Sequence, residues 1–393
     1  MGLDSLARHY TRFGVAGRLL LTGHSHQAWP DVALEGQLEA FEDAARLLDE
    51  KWERAFARAE RLRAGVRALV VDPSAEIALG ASTHELVVRF LSALDLRRRP
   101  RLLSTDGEFH TLRRQLARLG EEGLEVARLP ARPVDTLAAR LADRIDDRTA
   151  AVLVSAVLFE DARIVPALGA LAAACARRGV ELLVDAYHAL GALPFPLGAL
   201  GLESAWVVGG GYKYLQLGEG NGFLRLPPHA HELRPAITGW FAEFAALSER
   251  DRAGLVAYGR GASAFAGSTY DPTSHYRAAR VLDFFVEQGL TPETLRTSYR
   301  RQVALLSARF DELGLPDEVV TRDRDTPLDR FGGFLALESP RAGDLQRALG
   351  ERGVRCDSRG PYLRLGPAPY LSDAQLEAAI ERLGDAARAL PHR

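Results

Sequence analysis

The 393-residue chain is 47% hydrophobic and 26% charged, the balance of an ordinary globular protein with length for two or three domains. Its formal net charge of −2 offers no electrostatic case for nucleic acid or an anionic membrane, and no apolar run nears the roughly 18 residues of a membrane span. Cys175 and Cys356 make neither a disulfide framework nor a metal-ligand spacing, and the N-terminus lacks the apolar stretch of a secretion signal, so a cytoplasmic setting is expected.

Residues 1–55, with a helix over GQLEAFEDAARLLDEKWERAF, are expected to pack with the C-terminal unit or to cap the sheet. AEIALGAS (75–82) then reads as a strand and THELVVRFLSAL (83–94) as a helix. RLLSTD is a strand, and EFHTLRRQLARLG a helix stopped by glycine. LEVARLP is a strand, and DTLAARLADRI a helix with Asp135 as its N-cap. TAAVLVSAV is a buried strand, followed by PALGALAAACARRG, a helix between Pro and Gly. VELLVDA, AWVVGGG and NGFLRLP complete the strands. Continuous apolar strands alternating with helices predict an α/β fold, a mainly parallel sheet covered on both faces, over about 56–275. Residues 276–393 read differently. Two long helices precede FGGFLALES, GVRCDS and YLRLGP, the strands of a small α+β domain.

Of the 50 lysines and arginines only Lys51 and Lys213 are lysines. Lys213 stands in GGGYKYLQLGEGNG, directly after an apolar strand. A lysine amine can lose its proton when desolvated and attack a carbonyl; an arginine cannot. In open α/β sheets ligands sit at the carboxyl ends of strands, and three further groups occupy such ends. Ser82 and Thr83 begin a helix, either as its cap or as a phosphate cradle. Phe109 is either core or a stacking partner for a planar ligand, with His110 beside it. Asp185-Ala186-Tyr187-His188 ends a buried strand, where a carboxylate needs a cation; one acid and one histidine are too few for a metal site. A phosphate cradle, a stacking ring, an acid and a Schiff-base lysine are what pyridoxal phosphate requires. The glycines of GEGNG precede a strand rather than a helix, which excludes a dinucleotide loop.

The run VDAYHALGALPFPLGALGLESAWVVGGGYKYLQLGEGNGFLRL resembles fold-type I, class V pyridoxal-phosphate enzymes, and most closely kynureninase. Asp185, His188, Ala189 and Gly191 match an Asp-x-x-His-Ala-x-Gly motif, and Tyr212 to Leu215 a Tyr-Lys-Tyr-Leu motif. ITGWF, FAGSTYDP and GVRCDSRGPYLRLGPAPYLS resemble later segments of that family. The resemblance implies a large domain with a seven-stranded sheet, a small domain and a homodimer with shared active sites. Lys213 would hold the cofactor, Asp185 would face the pyridine nitrogen with His188 nearby, and Ser82, Thr83 and Tyr212 would hold the phosphate. Tyr212 would double as an acid, Phe109 would stack on the ring, and Trp240 and Thr269 would reach the partner's phosphate. Arg364 would clamp the substrate carboxylate, with Ser25 and Ser268 also near the substrate. The implied reaction is hydrolysis of the Cβ–Cγ bond of kynurenine or 3-hydroxykynurenine to (hydroxy)anthranilate and alanine.

The sequence departs from that family around the substrate. His24, His26 and Gln27 replace other residues, Leu112 stands for an aspartate, and VSAVLFEDARIV lacks the family's pattern. Cofactor residues serve shared ring chemistry, so an aminotransferase, epimerase or β-lyase on another amino acid is the alternative. A cysteine desulfurase is not expected, because Cys175 falls in a predicted helix and Cys356 in a strand-like run rather than on a loop. A binding protein without catalysis is the remaining alternative.

Overall fold

The computed structural model describes residues 3–246 and 255–390. After β1 (Leu19–Leu20), two helices run in place of the single one expected: α1 (Val32–Leu47) and α2 (Lys51–Val70). The break lies at Leu48, whose φ of 51° takes it out of the helix. Packing explains it. Both helices press on α8 (Thr273–Glu287), each through a glycine. A Cβ on Gly36 would lie 2.7 Å from the Tyr276 carbonyl oxygen, and one on Gly65 2.6 Å from Leu282 Cδ1. One straight helix could not present both glycines to the same partner.

Strands and helices then alternate through β2 (Glu76–Gly80), α3 (Thr83–Ser92), β3 (Arg101–Thr105), α4 (His110–Glu121), β4 (Glu125–Leu129), α5 (Leu137–Asp143), β5 (Thr149–Ser155), α6 (Leu168–Arg177) and β6 (Glu181–Asp185). β7 (Trp206–Gly210) and β8 (Gly222–Leu226) complete a seven-stranded sheet of order β2-β8-β7-β6-β5-β3-β4. All pairings are parallel except those of β8, which runs antiparallel to β2 and β7. β5, β7 and β8 are buried along their whole length, as their mainly apolar sequences require, with Arg225 of β8 paired to Asp72. Asp135 does not cap α5. It lies inside a 3₁₀ turn, Val134–Thr136, so α5 starts later, at Leu137.

Register brings chemistry to one edge. Ser155 of β5 pairs with Asp185 of β6, which pairs with Val208 of β7, so the carboxyl ends of the central strands lie side by side. Beyond α8 and α9 (Pro292–Glu312), β9 (Leu335–Glu338), β11 (Asp357–Arg359) and β12 (Tyr362–Leu365) form an antiparallel sheet of order β11-β12-β9. α10 (Ala342–Glu351) and α11 (Asp373–Ala389) accompany it. β10 (Val354–Arg355) pairs in parallel with β1, so the N-terminal segment is tied to this unit. Among the described residues no helix is long and apolar enough to cross a membrane.

The loops after β6 and β7 lock together at Gly191, whose φ is +83°. A Cβ there would sit 2.9 Å from Tyr214 Cβ and 3.0 Å from Leu215 Cδ2. Gly191→Val is expected to cost about 1–3 kcal/mol, read as a lower denaturation midpoint. An unchanged midpoint would mean that the two loops do not depend on this contact.

Candidate active site

Seven residues that the sequence points to line one cavity of about 310 Å³: Ser82, Thr83, Phe109, Asp185, His188, Tyr212 and Lys213. They come from four segments, at and after the carboxyl ends of β2, β3, β6 and β7. Ser155, Val157, Phe159, Tyr187 and Asn221 complete the wall. The volume is that of a small-molecule site.

Lys213 is 5% exposed, and its Nζ lies 2.8 Å from His188 Nε2. The amine also sits over the rings of Tyr187 at 4.5 Å and Phe109 at 5.3 Å. Burial, aided by the nearby Arg364 charge and opposed by Asp185, lowers its pKa to about 7. At neutral pH a large fraction of the amine is therefore unprotonated. Burial and the neighbouring lysine also push His188 well down, leaving it neutral. Its Nδ1 is buried without a partner. Burial raises the pKa of Asp185, while an N–H from Tyr187, 2.9 Å from Oδ1, pulls the other way.

At the opposite end, Ser82 caps α3 by accepting from the Glu85 amide at 3.4 Å, so the cap reading holds while the residue also faces the cavity. Gly222 lies against this turn, where a Cβ would come within 2.8 Å of the Ser82 carbonyl carbon. Tyr212 is half-buried, stacked on His26 at 4.8 Å, with the Tyr187 ring tilted against it at 5.0 Å.

Other expected residues lie outside this wall. Trp240 donates to Thr269 Oγ1 at 3.2 Å, and Thr269 and Ser268 line a second cavity of about 1070 Å³. The two cavities share Ala81, Glu219 and Gly220 and so adjoin. Ser25 does not reach the cavity; its hydroxyl donates to the Thr22 carbonyl at 3.1 Å, satisfied within its own turn. Arg364 is 3% exposed and sits behind Phe159, donating to that residue's carbonyl and to both oxygens of Asp357.

Sequence reasoning passed over Tyr187, Ser155 and Glu108. Tyr187 lies inside the motif already singled out, and Ser155 ends a wholly apolar strand. Glu108 is buried, accepting from Ser155 Oγ at 2.5 Å and Thr105 Oγ1 at 2.7 Å. Burial raises its pKa to about 7 against those bonds.

No protein-family model and no curated protein matches the chain. Solved structures do. A lysine-to-alanine variant of C-DES, with glycine covalently linked to its PLP cofactor, superposes with a TM-score of 0.82 at 18% identity, covering 96% of this chain and 98% of that one. C-DES is described elsewhere as a cystine C–S lyase in complex with its product, cysteine persulfide. The cysteine desulfurase CsdA of Escherichia coli gives 0.80 at 15% identity over the full length of both chains. The chain has the fold-type I transferase fold. The expectation of a kynurenine hydrolase is corrected by these neighbours, which are desulfurases and a C–S lyase. The fold alone does not choose among the reactions it can host.

The buried amine has a measurable signature. In the cofactor-free protein the folded lysine loses its proton near pH 7, whereas the unfolded one holds it to about 10.5. Between those values the unfolded state binds more protons, so stability rises with pH. Lys213→Met should therefore be more stable than the parent below pH 7, with the advantage shrinking towards pH 10.5. An advantage independent of pH would mean the amine is not desolvated.

Proposed function

We propose that this chain is a pyridoxal-phosphate-dependent β-lyase that cleaves a carbon–sulfur bond of an amino acid without using a protein thiol. The observation that carries the reading is the Lys213 cavity: a buried amine with a pKa near 7, flanked by aromatic rings and a carboxylate, with neither cysteine in its wall. Cys175 and Cys356 are both buried, and burial pushes each thiol up to about 12. Neither is the exposed, ionised thiol that a sulfur-accepting nucleophile must be. The neighbours that carry PLP or release cysteine persulfide support the same class of chemistry.

The residues fit the cofactor. When bound, it would supply an aldehyde for the substrate amine and a ring that draws electrons from the α-carbon. Ser82, Thr83 and the N–H groups at the start of α3 would hold the phosphate with Tyr212. Phe109 and Tyr187 would flank the ring, and Asp185 would pair with its nitrogen. His188 Nδ1, buried and unpaired, has a hydrogen bond to offer there. Lys213 Nζ, unprotonated near pH 7, would take the α-proton, held against His188. The leaving sulfur departs from Cβ, and hydrolysis of the released enamine yields pyruvate and ammonia. Arg364 would bind the substrate carboxylate.

A homodimer is part of the proposal, with Trp240, Ser268 and Thr269 serving the partner's cavity. α1 supports it by exposing Leu34, Leu38 and Phe41 along one face. We divide the chain into an N-terminal segment, residues 1–55, that packs with the small domain, a large domain, 56–275, and the small domain, 276–393. The free thiols support a cytoplasmic setting.

The test is to load the purified protein with pyridoxal phosphate and supply L-cystine and L-cysteine, following pyruvate. Lys213→Arg should abolish turnover, since arginine stays protonated. The double variant Cys175→Ala, Cys356→Ala should keep at least half the parent rate. Loss of activity in the double variant would overturn the thiol-free route. No pyruvate despite normal cofactor absorbance would redirect the search to transamination and epimerisation.

A further inference from the structure

We infer that His24 is a positioning residue for recognition of the substrate carboxylate, acting through Asp357 on Arg364. The inference rests on the amino-acid reading above and deepens it. His24 is wholly buried, and its Nε2 lies 2.8 Å from Asp357 Oδ1. The same oxygen accepts Arg364 Nε at 2.8 Å, and Asp357 Oδ2 accepts Arg364 Nη2 at 2.5 Å. Arg364 Nη1 donates to the carbonyl of Phe159, whose residue lines the Lys213 cavity. Three of the five guanidinium N–H groups are thus engaged, which leaves two for a ligand.

An aspartate paired with Arg364 alone would neutralise it and weaken its pull on a second carboxylate. His24 draws on the same oxygen, so Asp357 divides its charge between two donors. The bond also fixes the carboxylate plane, and with it the plane of the guanidinium.

The surroundings form a built seat for the imidazole. A Cβ on Gly366 would overlap His24 Nδ1 and lie 2.7 Å from the His24 backbone nitrogen. The Gly23 N–H donates to the Gly366 carbonyl at 2.8 Å and locks the two segments together. The Phe334 ring lies 4.6 Å from the His24 ring, 5.9 Å from His188 and 5.7 Å from the Arg364 guanidinium. His24 Nδ1 has no partner, so the ring proton resides on Nε2, aimed at Asp357.

The experiment titrates the cofactor-loaded protein with L-alanine, which has no leaving group, and with L-alaninamide, which has no carboxylate. Cofactor absorbance gives each half-saturating concentration, and their ratio reads carboxylate recognition. The parent should favour alanine, and Arg364→Ala should erase the preference. His24→Phe, which fills the volume without a donor, should cut it at least fivefold and leave alaninamide unchanged. His24→Gln, which restores an N–H, should recover most of it. His24→Leu should lower the ratio as His24→Phe does, and it serves should the phenylalanine variant not fold. A parental ratio in His24→Phe, or in His24→Leu, overturns the inference alone. A parental ratio in Arg364→Ala overturns the carboxylate assignment beneath it.

Discussion

The desolvation of one amine organises this site. An exposed lysine is protonated at neutral pH and reacts with no carbonyl. Lys213 escapes that state because it follows a strand buried on both faces and ends against His188, itself kept neutral by burial. Two carboxylates, Asp185 and Asp357, oppose the loss of charge, and Arg364 favours it. The balance rests near neutrality, where an amine can both take and return a proton.

The Lys213 cavity and the Arg364 cluster behind Phe159 have different origins. The cavity wall comes from the carboxyl ends of strands in the seven-stranded sheet and is a matter of register, as the pairing of Ser155 with Asp185 shows. The Arg364 cluster joins β11 and β12 of the C-terminal unit to the turn after β1.

Legibility followed the range of the interactions. β5, β7 and β8 were plain in the sequence because full burial demands mainly apolar runs. The residues around the amine were legible because strand ends are where such a sheet exposes side chains. The break at Leu48 was not legible, since the helical pattern continues through it and only contact with α8 divides it. Asp135 misled for a related reason: a good capping residue lies near the start of α5, but a 3₁₀ turn occupies that place. Ser25 falls in a segment whose backbone satisfies its hydroxyl locally.

By itself the sequence determined the α/β class, the order of reactive residues along the strands and the isolation of a single lysine among glycines. These are properties of composition and of period, which neighbouring residues carry. Tertiary structure alone decided the pKa of that lysine, the placement of Arg364 behind Phe159 and the bond from His24 to Asp357 across 333 residues. Burial and charge proximity depend on distance in space, and no local pattern records which distant segments a folded chain brings into contact.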